Sequence, residues 1–260
     1  MQDKSLHNIE LLLMSSKPED LREGLDLVKK EISRVGSEEA RSMFEMLSSI
    51  FYIDPLDHPE LMPYLDEAIN LVVGFGEWVI PVLVEKLDEG DLKVQLAIAN
   101  ALGRIGADAI SPLMNEYQLT TNPERCAFLL YALSKIKSPK IVQATHIALE
   151  ALQSQHLELR DTGARAVGKF AESIQPSELS DEIRNGFVEK FRANLSDPNA
   201  GIRAKAVRSL GKLARYGHLS SDEKKNLKEI IDRIMGTDEN YDWDRAYIVR
   251  REAEEALNYI

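Results

Sequence analysis

Gln95-Leu96-Ala97-Ile98-Ala99-Asn100-Ala101-Leu102-Gly103-Arg104-Ile105 is the stretch that decides the fold, because the chain repeats it. It returns as Arg160-Asp161-Thr162-Gly163-Ala164-Arg165-Ala166-Val167-Gly168-Lys169-Phe170 and as Arg203-Ala204-Lys205-Ala206-Val207-Arg208-Ser209-Leu210-Gly211-Lys212-Leu213. Weaker copies run from Cys126 to Ile136 and from Arg250 to Ile260. Equivalent positions Gln95, Cys126, Arg160, Arg203 and Arg250 lie 31, 34, 43 and 47 residues apart. A phrase returning every few dozen residues is the signature of a stacked array, in which each unit buries its apolar face against the next.

Within the third copy Ile202, Ala206, Leu210 and Leu213 form one apolar stripe at helical spacing. Strand-like alternation is nearly absent. Pro81, Pro112, Pro139 and Pro176 stand where second helices should begin, since proline lacks an N–H that the first turn leaves unpaired anyway. Each phrase therefore reads as one helix of a hairpin, followed by a turn and a second helix. The spacing predicts helices at 5–15, 18–34, 37–52, 59–74, 78–89, 91–104, 108–118, 123–136, 139–154, 157–173, 177–195, 199–215, 220–235 and 244–259. The fold class is all-α: a right-handed α-α superhelix, or α-solenoid, of stacked helical hairpins. The sequence reads as one domain over 1–260, with divergent capping hairpins at 1–58 and the repeats proper at 59–260.

Composition narrows the function classes. With 32 basic and 43 acidic residues the net charge is −11, which argues against general nucleic-acid affinity. Residues 1–130 carry 11 basic and 23 acidic side chains, while residues 131–260 carry 21 and 20. The acid excess thus belongs to the first half, and the second half has room for a local basic surface. A single cysteine, Cys126, excludes an internal disulfide and a CxxC site. The start Met1-Gln2-Asp3-Lys4 lacks the pattern of a signal peptide, and no run approaches the ~18 apolar residues of a membrane span. A cytoplasmic location is the expectation.

Val94-Gln95, Ala101-Leu102-Gly103-Arg104-Ile105-Gly106 and the following Ala109-Ile110-Ser111-Pro112-Leu113 resemble the HEAT-repeat superfamily, in its short-repeat phycobilisome-lyase (PBS lyase HEAT-like) variety. Leu159-Arg160, Ile202-Arg203 and Val249-Arg250 supply the aliphatic-Arg pair of that pattern, whereas Gln95 and Cys126 depart from it. The resemblance covers residues 60–260 and implies a helical solenoid. It implies little about function, since the superfamily spans scaffolds, inhibitors, chromophore lyases and a few DNA glycosylases. Gly103, Gly168 and Gly211 are expected to let a neighbouring helix approach, at about 1 kcal/mol of helix propensity each. Arg160, Arg203 and Arg250 are expected to reach a carboxylate or carbonyl of the adjacent hairpin, such as Asp161 or Asp197.

The motifs for chemistry are weak. Gly163 to Phe170 nearly spells a phosphate-binding loop, but that loop needs a Ser or Thr where Phe170 stands and a strand before it. His58-Pro59-Glu60 has no CxxC to complete a zinc-deaminase signature. The histidines at 7, 58, 146, 156 and 218 form no pair at helical metal-ligand spacing. Cys126 reads as a buried thiol, since a nucleophile needs a histidine or cation beside it. No catalytic residue, cofactor or metal is expected.

Arg104, Lys135, Lys169 and Lys212 each fall two places after the Leu or Val of their copy, so stacking should align them as a ladder. Arg165 and Arg208 form a second aligned pair, with Arg192, Lys205 and Arg215 nearby in sequence. Two readings stay open: a basic stripe for an acidic partner or a phosphate backbone, or cations placed at the negative ends of helix dipoles. Tyr241, Trp243 and Tyr247 lie in an acidic connection, 238–247, of the kind that supplies binding hot spots; Trp243 equally suits packing against the last helix. Trp78 reads as core or edge packing. The terminal Leu257 and Ile260 suggest self-association or partner docking. The expected function is a non-catalytic protein-protein interaction scaffold, adaptor or inhibitor-type regulator. A bilin lyase or isomerase and a nucleic-acid-binding protein are the alternatives.

Overall fold

The computed structural model describes residues 2–37, 40–88, 91–239 and 243–260, with backbone alone for residues 2–5. Among the described residues every regular element is helical. The chain groups into two compact units, Met1–Pro112 and Leu113–Ile260.

The first unit holds α1 (Gln2–Leu13), α2 (Pro18–Val35), α3 (Arg41–Ser48), α4 (Met62–Val73), α5 (Val79–Lys86) and α6 (Leu92–Ile105). Its α4 packs between α2 and α6, with α1 against α2 and α5 against α6. Phe44, Phe51 and Phe75 are its largest fully buried side chains. The helix ends follow from local chemistry. Asp91 caps α6 by accepting the Lys93 N–H at 2.8 Å, and Gly106 ends it at φ +85°, a left-handed conformation that glycine adopts without strain. The helix α7 (Ile110–Leu119) contains the point where the units divide.

The second unit adds α8 (Pro123–Leu133), α9 (Thr145–Ala151), α10 (Leu157–Phe170), α11 (Asp181–Asn194), α12 (Ala200–Arg215), α13 (Ser221–Met235) and α14 (Tyr247–Leu257). The copies of the repeated phrase are α8, α10, α12 and α14, and they lie side by side in that order. Behind them α9 packs on α10, α11 on α9 and α12, and α13 on α14 and α12. Phe170, Phe187 and Phe191 are the second unit's largest fully buried side chains. Asn122 and Asn199 cap α8 and α12, each side-chain oxygen accepting two backbone N–H groups of the first turn. Ser220 and Glu223 form a capping box at α13.

Several expected helices are 3-10 in part, among them those with 3-10 turns at 59–61, 106–109 and 176–178. Residues 139–144 form a 3-10 turn before α9, and residues 49–52 a 3-10 turn after α3. In the first, Ile141 and Ala144 are both buried three residues apart, a spacing that stacks on one side of a three-per-turn helix. Pro139 and Pro176 open 3-10 turns, whereas Pro81 and Pro112 sit at the third residue of α5 and α7, where a missing N–H is equally harmless.

Candidate interaction surface

The repeated phrase divides its positions between neighbours and solvent. Glycine at the ninth position of one copy meets the seventh position of the next. A Cβ built on Gly168 stands 2.5 Å from Ser209 Oγ, and one on Gly211 stands 2.8 Å from Ala256 Cβ. Ser209 Oγ donates across this seam to the Ala164 carbonyl at 2.7 Å. Gly103 lies half-buried in α6.

The arginine at the first position ties each helix to the turn before it. Arg160, Arg203 and Arg250 donate Nη1 to the carbonyl six residues earlier, on Ser154, Asp197 and Asp244, at 2.5, 2.8 and 2.6 Å. The same guanidiniums reach forward. Arg160 Nε donates to Asp197 at 2.9 Å, and Arg203 makes a two-pronged pair with Asp244 at 2.7 and 2.9 Å. Asp197 and Asp244 therefore accept the previous arginine on their side chains and the next one on their carbonyls. The Arg203 hydrogen bond holds the Asp244 carboxyl below its usual range, against the opposing effect of burial. Asp161 accepts instead from Lys205. In the first unit Gln95 takes the arginine slot and donates to the Leu87 carbonyl at 2.9 Å.

The ladder cations have different environments. Arg104, in the first unit, is held by α4 through the Asp66 carboxylate and Asn70 Oδ1, the latter at 2.7 Å. In the second unit Lys169 and Lys212 share one carboxylate, Glu172, at 3.2 and 2.5 Å. Burial raises the Glu172 carboxyl, but the two lysines outweigh it and hold the group below its usual range. Lys135 Nζ sits 4.8 Å from the Tyr131 ring centre, and the Arg165 guanidinium lies over the same ring at 5.8 Å. Arg208 binds Glu252 with both prongs, and Arg251 joins at 3.0 Å. Glu252 is only 1% exposed; burial raises its carboxyl, yet the two arginines keep it lowered. Arg215 stacks on Tyr259 at 5.0 Å and Tyr216 at 5.5 Å. Lys169, Arg208, Lys212, Arg215, Glu252, Glu255, Ala256 and Tyr259 line a cavity of about 360 Å³.

Trp243 and Tyr247 expose 58% and 70% of their surface. One side of the Trp243 ring lies 3.2 Å from the place a Cβ would take on Gly236, where the left-handed turn ends α13. Tyr241 lies outside the described residues. Cys126 is buried beside the Thr120 carbonyl, and burial pushes its thiol up. Trp78 packs in the first unit against Phe75 and Phe44, with the Arg41 guanidinium 4.7 Å over its ring. A second cavity, of about 480 Å³, is lined by α2 side chains including Glu19, Arg22, Glu23 and Asp26, with Tyr64 of α4. Among the described residues no three His, Cys, Asp or Glu groups gather as for a metal ion, and no helix is long and apolar enough to cross a membrane.

Sequence reasoning did not single out Tyr131, Tyr259 or Glu172. The tyrosines were visible as the occupants of ladder positions in the weaker copies. Glu172 lies beyond the phrase and carries no repeat signal.

Residues 94–117 match the model of the PBS lyase HEAT-like repeat. Comparison with curated protein sequences finds no match. Among solved structures the chain is similar to an engineered protein at 19% identity and a TM-score of 0.52, covering 90% of this chain and 95% of that one. A second engineered protein is similar at 18% identity and a TM-score of 0.51, with 98% and 97% covered. A designed armadillo repeat protein in complex with the peptide (KR)4 is similar at 16% identity and a TM-score of 0.51, with 90% and 98% covered. At these identities the likeness is one of fold: an α-solenoid of stacked helical hairpins.

Proposed function

We propose, from the HEAT-like repeat matched at residues 94–117 and the helical-repeat fold, that this chain is a non-catalytic protein-interaction module, an adaptor or inhibitor-type regulator that works by surface complementarity. One observation carries the reading. The helices of the repeated phrase use their small and apolar positions to stack, and turn a different set outward, the row of cations and tyrosines from Tyr131 to Tyr259. Such a surface is organised for contact, with aromatic rings and arginines of the kind that dominate interface energetics. Trp243 and Tyr247, exposed where the chain leads into α14, extend the same reading to the 238–247 connection.

A bilin-attachment role would require a largely apolar pocket, and the two cavities described above are lined mainly by charged side chains. The test is quantitative co-purification of the tagged chain, with Trp243→Ala and Lys169→Glu variants alongside. A partner recovered in stoichiometric amount, and weakened by either variant while thermal unfolding is unchanged, supports the reading. A bilin-dependent absorbance change in the presence of an acceptor protein, or no partner at any salt, contradicts it.

A further inference from the structure

We propose that the outward face of α8, α10 and α12 docks an extended acidic peptide, one carboxylate for each of these three repeats, in a register of every third residue, with the row ending against Tyr259 beyond α14. This deepens the interaction-module reading and rests on it. Lys135, Lys169, Lys212 and Tyr259 occupy one position of the phrase in four successive copies, Lys135 and Tyr259 in the turns just past the ends of α8 and α14. Tyr131, Arg165, Arg208 and Glu255 occupy the position four residues earlier. Because the helices lie side by side, each position forms a row crossing the layer.

The rows carry more positive charge than their neighbours neutralise. Lys169, Arg208, Lys212 and Arg215 lie with the carboxylates Glu172, Glu252 and Glu255, and Lys135 and Arg165 add two further cations to the rows. Arg208 is committed to the buried Glu252, and two lysines share Glu172. Among the described residues Lys135 and Arg165 contact the Tyr131 ring and pair with no carboxylate. Arg215 rests on Tyr259 and Tyr216 in the same manner. A guanidinium lying over an aromatic ring is held in place while its N–H edges stay available. In a chain of net charge −11 this is a local field of the opposite sign.

Spacing selects the occupant. Packed helices lie about 8–10 Å apart, and an extended chain advances about 3.3 Å for each residue. Equivalent cations on neighbouring helices therefore meet every third residue of a peptide crossing the layer. The peptide residues between the Lys169 and Lys212 contacts fall opposite Glu172, which bridges those two lysines and where a neutral side chain is tolerated, and Glu255 closes the row at α14. A nucleic-acid strand has no such gaps, and its continuous charge would be driven against those carboxylates.

The experiment is fluorescence anisotropy on the intact chain with four labelled probes. The first is a peptide with glutamate at every third position and glycine and serine between. The second has the same composition with the glutamates consecutive, the third has lysine for glutamate, and the fourth is oligothymidylate. The first probe is expected to bind saturably, more tightly than the second, and less tightly as salt rises; the lysine peptide is expected not to bind. Arg165→Gln combined with Arg215→Gln is expected to weaken the first probe by about tenfold, with the melting temperature unchanged. Lys135→Gln, at the other end of the row, replaces that pair if its melting temperature falls. No saturable binding of the first probe, equal binding of the first two, tighter binding of oligothymidylate, or full affinity in the variants overturns the proposal. If the probes fail while a co-purified partner still binds, the acidic-peptide register falls and the interaction-module reading stands.

Discussion

Replacing Gly211 with alanine tests how the repeated helices stack. The new Cβ would stand 2.8 Å from Ala256 Cβ and 3.3 Å from Ala256 Cα, where carbon atoms prefer about 3.5–4.0 Å. Helix propensity favours alanine by about 1 kcal/mol, and overpacking costs about 1–3 kcal/mol. The opposing atoms belong to a rigid Cβ and a backbone carbon, so no rotamer relieves the contact and α12 must move from α14. The net expectation is a loss of about 1–2 kcal/mol, near the upper half of the overpacking range. Ala256→Gly alone should cost about 1 kcal/mol in propensity. Combined, the two changes exchange their methyl groups across the seam, so the double variant should be more stable than the sum of the singles by about 2 kcal/mol. Gly186→Ala is the control, because its Cβ meets only the ends of the Leu149 side chain, at 3.0 Å, which can turn away; it should be neutral or slightly stabilising. Urea unfolding followed by circular dichroism reads all four. A Gly211→Ala variant as stable as the parent, or strict additivity in the double variant, would refute the close-approach argument.

Four further outcomes are expected. Arg203→Ala should destabilise the second unit by about 2–3 kcal/mol, since it strips a part-buried carboxylate of two charged hydrogen bonds; Arg203→Lys should recover only part, as ammonium cannot make the forked pair. The depressed Asp244 carboxyl contributes stability that is present above its unfolded value of about 3.9 and is lost as pH falls through the lower folded value. An Asp244→Asn variant should therefore lose less stability than the parent on acidification below about pH 4, relative to its own value at neutral pH. Burial lowers the His218 imidazole, whose Nε2 lies 3.1 Å from the Ala171 carbonyl. The unfolded chain then takes up the proton first, so stability should decline as pH falls below about 6.5, and His218→Leu should flatten that part of the profile. Cys126, buried with its thiol raised, should resist a maleimide in the native chain and react after unfolding.

The stacking layer was legible because small residues and the apolar stripe recur together, and only a helix packed on its own copies demands both. What each arginine meets was less accessible. Asp197 lies in a turn before α12, and Asp244 lies in the connection that sequence reasoning reserved for a partner; in the structure its carboxylate and carbonyl hold Arg203 and Arg250. Arg104 looked like one more ladder cation, yet Asp66 and Asn70 are within its reach only because α4 packs on α6. The 3-10 turn at 139–144 escaped for a different reason. Its buried pair Ile141 and Ala144, three residues apart, suits an α-helix as well, and tertiary packing decided between the two.

Hydrogen exchange on the chain, free and bound to a co-purified partner, tests the central claim most directly. The account predicts that binding slows exchange in α8, α10, α12 and α14 of the second unit and leaves α2 and α4 of the first unit unchanged. Protection confined to the first unit, or a bound partner that slows exchange nowhere, would contradict it.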